Sequence, residues 1–142
     1  PAADAGMTLS GRCTAVAGTG NDFKSPRRLG DALPGIIKAH GENYCLSPAA
    51  SAAPAPVARV VEPVSGRVLE VSSNDCCLQF YTGMALDGTR TGKSGRAYGP
   101  HAALCLECQG YPDGAHHPEL GDILVRPGMP QRRTTIYAFS NP

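Results

Sequence analysis

The sequence ARVVEPVSGRVLEVS, residues 58–72, has two short runs rich in valine on either side of a Val64-Ser65-Gly66 segment. β-Branched and apolar runs of this length favour strands, and serine and glycine are common in tight turns. Apolar and polar residues alternate only in part within the second run, so we expect both of its faces to be partly covered. The stretch therefore predicts an antiparallel hairpin of two strands, residues 58–62 and 67–72.

The rest of the chain repeats this pattern. Short apolar or β-branched runs between clusters of Gly, Pro, Asn and Asp predict further strands at residues 12–17, 43–47, 77–82, 103–109, 122–126 and 132–139. Helical periodicity is confined to a short turn at residues 31–37, which Pro34 and Gly35 interrupt. Residues 48–56, rich in Ala, Pro and Ser, and the glycine-rich residues 86–100 predict exposed loops. Many short strands indicate an all-β fold, an antiparallel β-sandwich or a barrel.

Composition and charge narrow the class of protein. The 142 residues are enough for one domain, taken as residues 1–142, and 42% hydrophobic with 18% charged residues is typical of a globular chain. A formal net charge of +1 gives no field that would favour nucleic acid or an anionic membrane. No apolar run reaches the roughly 20 residues that a membrane-spanning helix needs. We therefore expect no nucleic-acid partner and no membrane span.

The six cysteines permit disulfides without requiring them. A chain of this length does not need covalent staples, so we predict free, mostly buried thiols. Cys105 and Cys108 have the Cys-x-x-Cys spacing of zinc and redox sites. On a strand, however, residues three apart point to opposite faces, so we predict structural thiols and no metal site. The adjacent His116 and His117 lack a spacing that would align them as metal ligands, and we predict a polar loop near a binding cleft.

Glu107 is the single carboxylate in the apolar segment ALCLECQ, residues 103–109. Burying a carboxylate is costly unless it is paired or used. A partly desolvated Glu suits general-base chemistry because its pKa moves toward neutrality. An ordinary Glu on the solvated face of an edge strand fits the pattern equally well, so both interpretations stay open at this point.

Gln79 stands in the aromatic segment LQFYTG, residues 78–83. An amide both donates and accepts hydrogen bonds, and a flat neighbour such as Phe80 or Tyr81 can cover the C–H face of a sugar. The segment is therefore compatible with sugar recognition. The alternative is an outward-facing polar residue of an ordinary strand, which the pattern by itself favours.

Six motifs follow one another along the chain: VLEV at 68–71, LQFYTG at 78–83, LDGT at 86–89, CLE at 105–107, YPD at 111–113 and LVRPG at 124–128. Their residues and their order resemble the C-terminal third of the aldose 1-epimerase, or mutarotase, family. Further matches near the start of the chain extend the resemblance over nearly the whole sequence. Because the motifs are numerous and ordered, the resemblance is specific.

The resemblance implies the C-terminal portion of a large antiparallel β-sandwich, the supersandwich, which interconverts the α and β anomers of free hexoses such as glucose or galactose without a cofactor. By matched position, Glu107 would be the base that removes the proton of the anomeric hydroxyl, and Gln79 would contact the sugar. The acid histidine and further sugar contacts would lie in the family's earlier region, which this chain does not contain. The resemblance favours the cytoplasm, and an organelle stays open.

One position departs from the family's pattern. An ungapped match puts Gly41 where the family has a sugar-binding Asp, and Glu42 where the next residue is His. Glu42 is a candidate to replace the missing carboxylate, although its longer side chain would place that group differently.

Two functions of different classes follow from these observations. The first is a mutarotase whose N-terminal part lies outside this chain. The second, which the altered Asp position favours, is a non-catalytic remnant that serves as a structural or interaction subunit of a larger assembly. In either case we expect the exposed edge of a truncated sheet to be covered by the missing N-terminal part or by another chain.

Overall fold

The computed structural model describes residues 10–36, 41–46 and 53–141. Six strands occur in these ranges: β1 (Glu42–Cys45), β2 (Ala55–Val61), β3 (Val68–Ser73), β4 (Cys77–Tyr81), β5 (Cys105–Gln109) and β6 (Thr135–Ser140). A short helix, α1 (Leu29–Ala32), continues into a 3₁₀ turn at Leu33–Gly35, and a second 3₁₀ turn covers Pro118–Leu120. The strands form two antiparallel sheets, ordered β1-β4-β5 and β2-β3-β6. The all-β antiparallel prediction is therefore confirmed.

The hairpin between β2 and β3 forms at the predicted turn. The Glu62 carboxylate accepts hydrogen bonds from the backbone N–H groups of Val64 and Ser65, at 2.9 and 2.7 Å. The Gly66 N–H donates to the Glu62 carbonyl oxygen at 2.9 Å, and Gly66 takes a φ of +74°, which glycine adopts without strain. The turn thus satisfies its own backbone groups and fixes the register of β2 against β3.

One face of the β1-β4-β5 sheet is apolar and packs on the helical segment. Phe80 of β4 is 7% exposed and contacts Ala32 and Ile36. Phe23 meets the Phe80 ring edge-on, with the ring centroids 5.8 Å apart. Burying a side chain of this size contributes about 2 kcal/mol, and a helix of one turn is unstable without such packing. The helical turn predicted at residues 31–37 begins two residues earlier, at Leu29, and runs to Gly35. Residue 37 lies outside the described ranges.

Two predicted strands are absent from the structure. Residues 12–17 run as an exposed segment that ends in a turn, closed by the Thr19 N–H and hydroxyl on the Val16 carbonyl. Residues 122–126 are also irregular, because the Asp122 carboxylate accepts the Leu124 N–H and binds the Arg126 guanidinium. Such local side-chain bonds compete with a sheet ladder, and the sequence pattern does not reveal them.

The boundary of the loop predicted at residues 48–56 is also corrected. β2 begins at Ala55, three residues before the predicted start, because Ala55 and Pro56 pair with Ser73 and Ser72 of β3 across a register shift. Residues 48–52 lie outside the described ranges. None of the helical segments in the described parts of the chain has the length and hydropathy that crossing a bilayer requires.

The prediction that all thiols are free is wrong for one pair. A disulfide joins Cys13 to Cys45, the last residue of β1. Composition cannot show this pairing, because it depends on residues 32 positions apart meeting at the sheet edge. The other four cysteines are free: Cys76 and Cys77 are buried, and Cys105 and Cys108 are half-buried. Burial, chiefly, raises the pKa of Cys77 to about 12, so that thiol is protonated at neutral pH.

We predict that Cys13→Ala lowers the free energy of unfolding by about 3 kcal/mol under oxidising conditions. The disulfide closes a loop between residues 32 positions apart, which reduces the entropy of the unfolded chain. Urea unfolding followed by circular dichroism measures the change. In the presence of a thiol reductant, wild type and variant should unfold at the same urea concentration. Equal midpoints for the two proteins without reductant would show that the bond adds no stability.

Candidate active site

The register of the β1-β4-β5 sheet sets three polar residues in a row. Asn43 of β1 is paired with Gln79 of β4, and Gln79 is paired with Glu107 of β5. Residues that are directly paired in an antiparallel sheet project from the same face, with Cβ atoms about 4.5–5.5 Å apart. The three side chains therefore stand side by side on the face opposite Phe80, and we call them the polar row.

A hydrogen bond joins the first two members of the polar row. The Asn43 Nδ2 donates to Gln79 Oε1 at 3.1 Å, and both residues are half-buried. The Asn43 Oδ1 is buried and has no hydrogen-bond partner among the described residues. The amides of β1 and β4 are thus linked through one bond with a defined direction.

Glu107, the third member of the row, is exposed. Of the two interpretations that the sequence left open, the structure shows Glu107 on the exposed face of an end strand. Its neighbour on the same face is Cys105, whose pKa is raised by burial, by the charge of Glu107 and by a hydrogen bond to that carboxylate. Cys105 therefore stays a neutral donor beside the Glu107 carboxylate.

A tyrosine of the second sheet forms a hydrogen bond with the backbone of β5. The Tyr137 hydroxyl of β6 donates to the carbonyl oxygen of Leu106 at 2.8 Å. Burial raises the pKa of Tyr137, with smaller contributions from Cys108 and Glu107. The tyrosine therefore remains a neutral donor that holds the backbone of β5 next to Glu107.

Glu42 does not join the polar row. It is paired with Phe80, and alternation along β1 places its side chain on the opposite face from that of Asn43. There it lines a small cleft with Ile36, Phe80 and Thr82. The structure therefore puts the Glu42 side chain on the other face from Gln79, because a shift of one residue reverses the face in a strand. The replacement of the family's Asp by Glu42 stays a prediction.

Gly41, two residues before Asn43, has a backbone that excludes a side chain. Its φ is +79°, and a Cβ built there would lie 2.2 Å from the Phe80 carbonyl oxygen. Real Cβ atoms do not approach an oxygen so closely, and a non-glycine residue at this φ is strained. The position matched to the family's Asp is therefore shaped for glycine in this chain.

The histidines of the described residues bond elsewhere. His101 Nδ1 lies 2.9 Å from Thr82 Oγ1, on the other face of β4 from Gln79. His116 and His117 bond the carboxylates of Asp113 and Glu119, and the Asp113 bond raises the pKa of His116. In the described ranges, no group of three or more His, Cys, Asp or Glu side chains is placed to hold a metal ion.

The polar row can bind and deprotonate a polyhydroxy compound. A carboxylate accepts a proton or a hydroxyl hydrogen bond, and an amide beside it both donates and accepts. The sequence indicated Glu107 and Gln79 but not Asn43 or Tyr137. Alternation along each strand hints at a polar face, but which residues stand opposite one another is fixed only by the register between strands.

Comparison with known proteins shows which family the sequence matches. The profile of the aldose 1-epimerase family matches residues 2–138. The chain is 40% identical to rat galactose mutarotase and 38% identical to the human enzyme, over 138 residues that make up 96% of the chain and 40% of each relative. It is also 26% identical to a maltose epimerase from Levilactobacillus brevis, over 92% of the chain and 37% of that protein.

A solved structure shows the same fold. A GalM/aldose epimerase homologue from C. elegans superposes with a TM-score of 0.81 at 22% identity, over 99% of this chain and 42% of that one. The chain thus spans about 40% of the length of the rat and human relatives that it matches. With the profile match over almost the whole sequence and the ordered motifs around Gln79 and Glu107, the chain belongs to the aldose 1-epimerase family.

Proposed function

We propose that this chain carries the base of a mutarotase, which interconverts the α and β anomers of free hexoses such as glucose or galactose. The observation that carries the proposal is the pairing of half-buried Gln79 with exposed Glu107 on one face of the sheet. Family membership supports the reaction type, and relatives named galactose mutarotase support a hexose as the substrate class. A part of the domain N-terminal to this chain is proposed to complete the site.

In this mechanism Glu107 accepts the proton of the anomeric hydroxyl while an acid protonates the ring oxygen. The C1–O5 bond breaks, and the anomeric oxygen becomes the aldehyde oxygen. Rotation about C1–C2 and reclosure of the ring, with both protons returned, give the other anomer. The reaction is redox neutral and releases no group, so the steps need only a base, an acid and hydrogen bonds that hold the sugar.

Gln79 is proposed to bind sugar hydroxyls beside the base. Its amide lies next to Glu107 in the register, so one sugar could contact both groups. The acid is proposed to come from the preceding part of the domain, because His101, His116 and His117 bond to partners outside the polar row.

A non-catalytic role is the second candidate, and the backbone at Gly41 favours it. A sugar anchor at that position would need a side chain, which the Phe80 carbonyl oxygen excludes. In this alternative the sheet is retained as a structural or interaction subunit, and the polar row binds sugar weakly or not at all.

The surface of β6 is proposed to be covered in the complete protein under either function. β6 is an end strand of its sheet, and Ile136, Tyr137 and Phe139 are 50%, 47% and 78% exposed. An apolar end strand of this kind invites pairing or burial. The preceding part of the domain, or another chain, would supply the cover.

We predict that Glu107→Gln lowers kcat for mutarotation by about 10²–10⁴-fold, because the amide cannot accept the proton. The assay is polarimetry of freshly dissolved α-glucose or α-galactose, with the protein that includes the preceding part of the domain. Glu70→Gln, an exposed carboxylate of β3 paired with Arg59, is the matched control and should keep full activity. Near-normal activity of Glu107→Gln would refute the base assignment, and a wild-type rate equal to that of buffer would favour the non-catalytic role.

A second prediction concerns the altered position. Gly41→Asp should lower the free energy of unfolding by about 2 kcal/mol and should not raise activity, because the new side chain meets the Phe80 carbonyl oxygen. Gly88→Asp is the control, since Gly88 has a φ of +83° but open space around its Cβ. Chemical unfolding of the three proteins measures the difference. A gain of activity without loss of stability would show that the site accepts the family's Asp.

A further inference from the structure

We propose that Asn43 is a positioning residue that fixes the orientation of the Gln79 amide. Through its hydrogen bond, Asn43 holds the carbonyl oxygen of Gln79 on the β1 side, so that the Gln79 NH₂ group faces Glu107 and the sugar. The inference rests on the proposed function only in taking the ligand to be a sugar. Its central claim, the direction in which one amide points, is independent of activity.

The register of the polar row limits the directions in which the Gln79 amide can point. Gln79 stands between Asn43 and Glu107 in the polar row, with one neighbour on each side. The oxygen and nitrogen of a primary amide diverge from one carbon, so they cannot both face the same neighbour. Whichever atom faces β1 therefore determines which atom is presented toward β5.

The hydrogen bond between Asn43 and Gln79 has a defined direction. Asn43 Nδ2 donates to Gln79 Oε1 at 3.1 Å, which assigns the oxygen to the β1 side. Turning over the Gln79 amide would set its NH₂ group against the NH₂ group of Asn43. Turning over the Asn43 amide would set two carbonyl oxygens together. Either reversal by itself loses the bond and creates a repulsive contact. Turning over both amides would keep a bond, donated by Gln79 to Asn43, and the Asn43→Asp variant distinguishes that arrangement because an acceptor at residue 43 would then leave the bond in place.

The buried Oδ1 of Asn43 bears on which atom of that amide contributes to binding Gln79. That oxygen is buried without a hydrogen-bond partner among the described residues, which costs free energy. The Nδ2 donor, which meets Gln79, is therefore the contribution that the amide makes at this position.

The orientation matters for the chemistry of Glu107. A carbonyl oxygen that faced the carboxylate would repel it and would offer no hydrogen to a sugar oxygen. An NH₂ group in that place attracts the carboxylate and donates to the sugar. Asn43 acts on the reaction through Gln79, which makes it distinct from Glu107 and Gln79 themselves.

The test observes the Gln79 side-chain NH₂ resonances by NMR in the ¹⁵N-labelled full chain, without sugar. Gln79→Glu removes this pair of resonances and so assigns them. Asn43→Asp, which is nearly isosteric, replaces the donor by an ionised acceptor at pH 7. We expect the two Gln79 proton shifts to change at pH 7 and to return to the wild-type values measured below about pH 4, where the new carboxyl group is protonated and donates again.

Asn141→Asp provides the matched control, because Asn141 is exposed beyond the end of β6. This variant should leave the Gln79 resonances at the wild-type positions at both pH values. Gln79 resonances that coincide in wild type and Asn43→Asp at pH 7 would overturn the proposal. So would Gln79 resonances of Asn43→Asp that stay displaced at low pH while the circular dichroism spectrum shows that the fold is kept.

A kinetic readout separates this inference from the proposed function. In the protein that includes the preceding part of the domain, Asn43→Asp should raise KM about tenfold, the effect of one lost hydrogen bond, with a smaller change in kcat. A fall in kcat alone, with KM unchanged, would overturn the sugar-binding role of the orientation. If wild type shows no mutarotation, the NMR result still decides the orientation and only the proposed function fails.

Discussion

Pairing of β4 with both β1 and β5 is the constraint on which the candidate site depends. As the central strand, β4 turns Phe80 toward the helical segment and Gln79 toward the opposite face. A slip of one residue against β5 would separate Gln79 from Glu107 and put the carboxylate among apolar side chains. The burial of Phe80 against Ala32 and Ile36 resists that slip, so an apolar contact on one face preserves the chemistry on the other.

Both end strands of this sheet are held by contacts from outside it. β1 has only four residues, and it is tied to the preceding segment by the Cys13–Cys45 disulfide and by the Tyr44 hydroxyl, which donates to the Asn21 carbonyl at 3.2 Å. β5 receives the hydroxyl of Tyr137 from the second sheet. Short strands are weakly held by their own ladders, so these contacts keep Asn43 and Glu107 in place on either side of β4.

The family relationship and the local structure bear on different parts of the function. Membership in the aldose 1-epimerase family rests on the sequence match over residues 2–138, whereas the pairing of Gln79 with Glu107 is a property of the sheet. Gly41 shows a local departure, since its left-handed backbone and the nearby Phe80 carbonyl oxygen leave no room for an acidic side chain. The pairing of Gln79 with Glu107 therefore coexists with a glycine backbone that excludes a side chain at residue 41.

The sequence by itself determined the strand-rich class and the hairpin at Gly66, and it made Gln79 and Glu107 candidates for the site, because β-branched runs, turn residues and ordered motifs are local properties. Only the tertiary structure decided that Glu42 faces away from the row and that Cys13 meets Cys45. Register and the meeting of distant segments depend on packing across the whole sheet, which local pattern does not encode. Residues 12–17 and 122–126 have strand-like composition and yet form no strand, because local side-chain hydrogen bonds compete there with a sheet ladder.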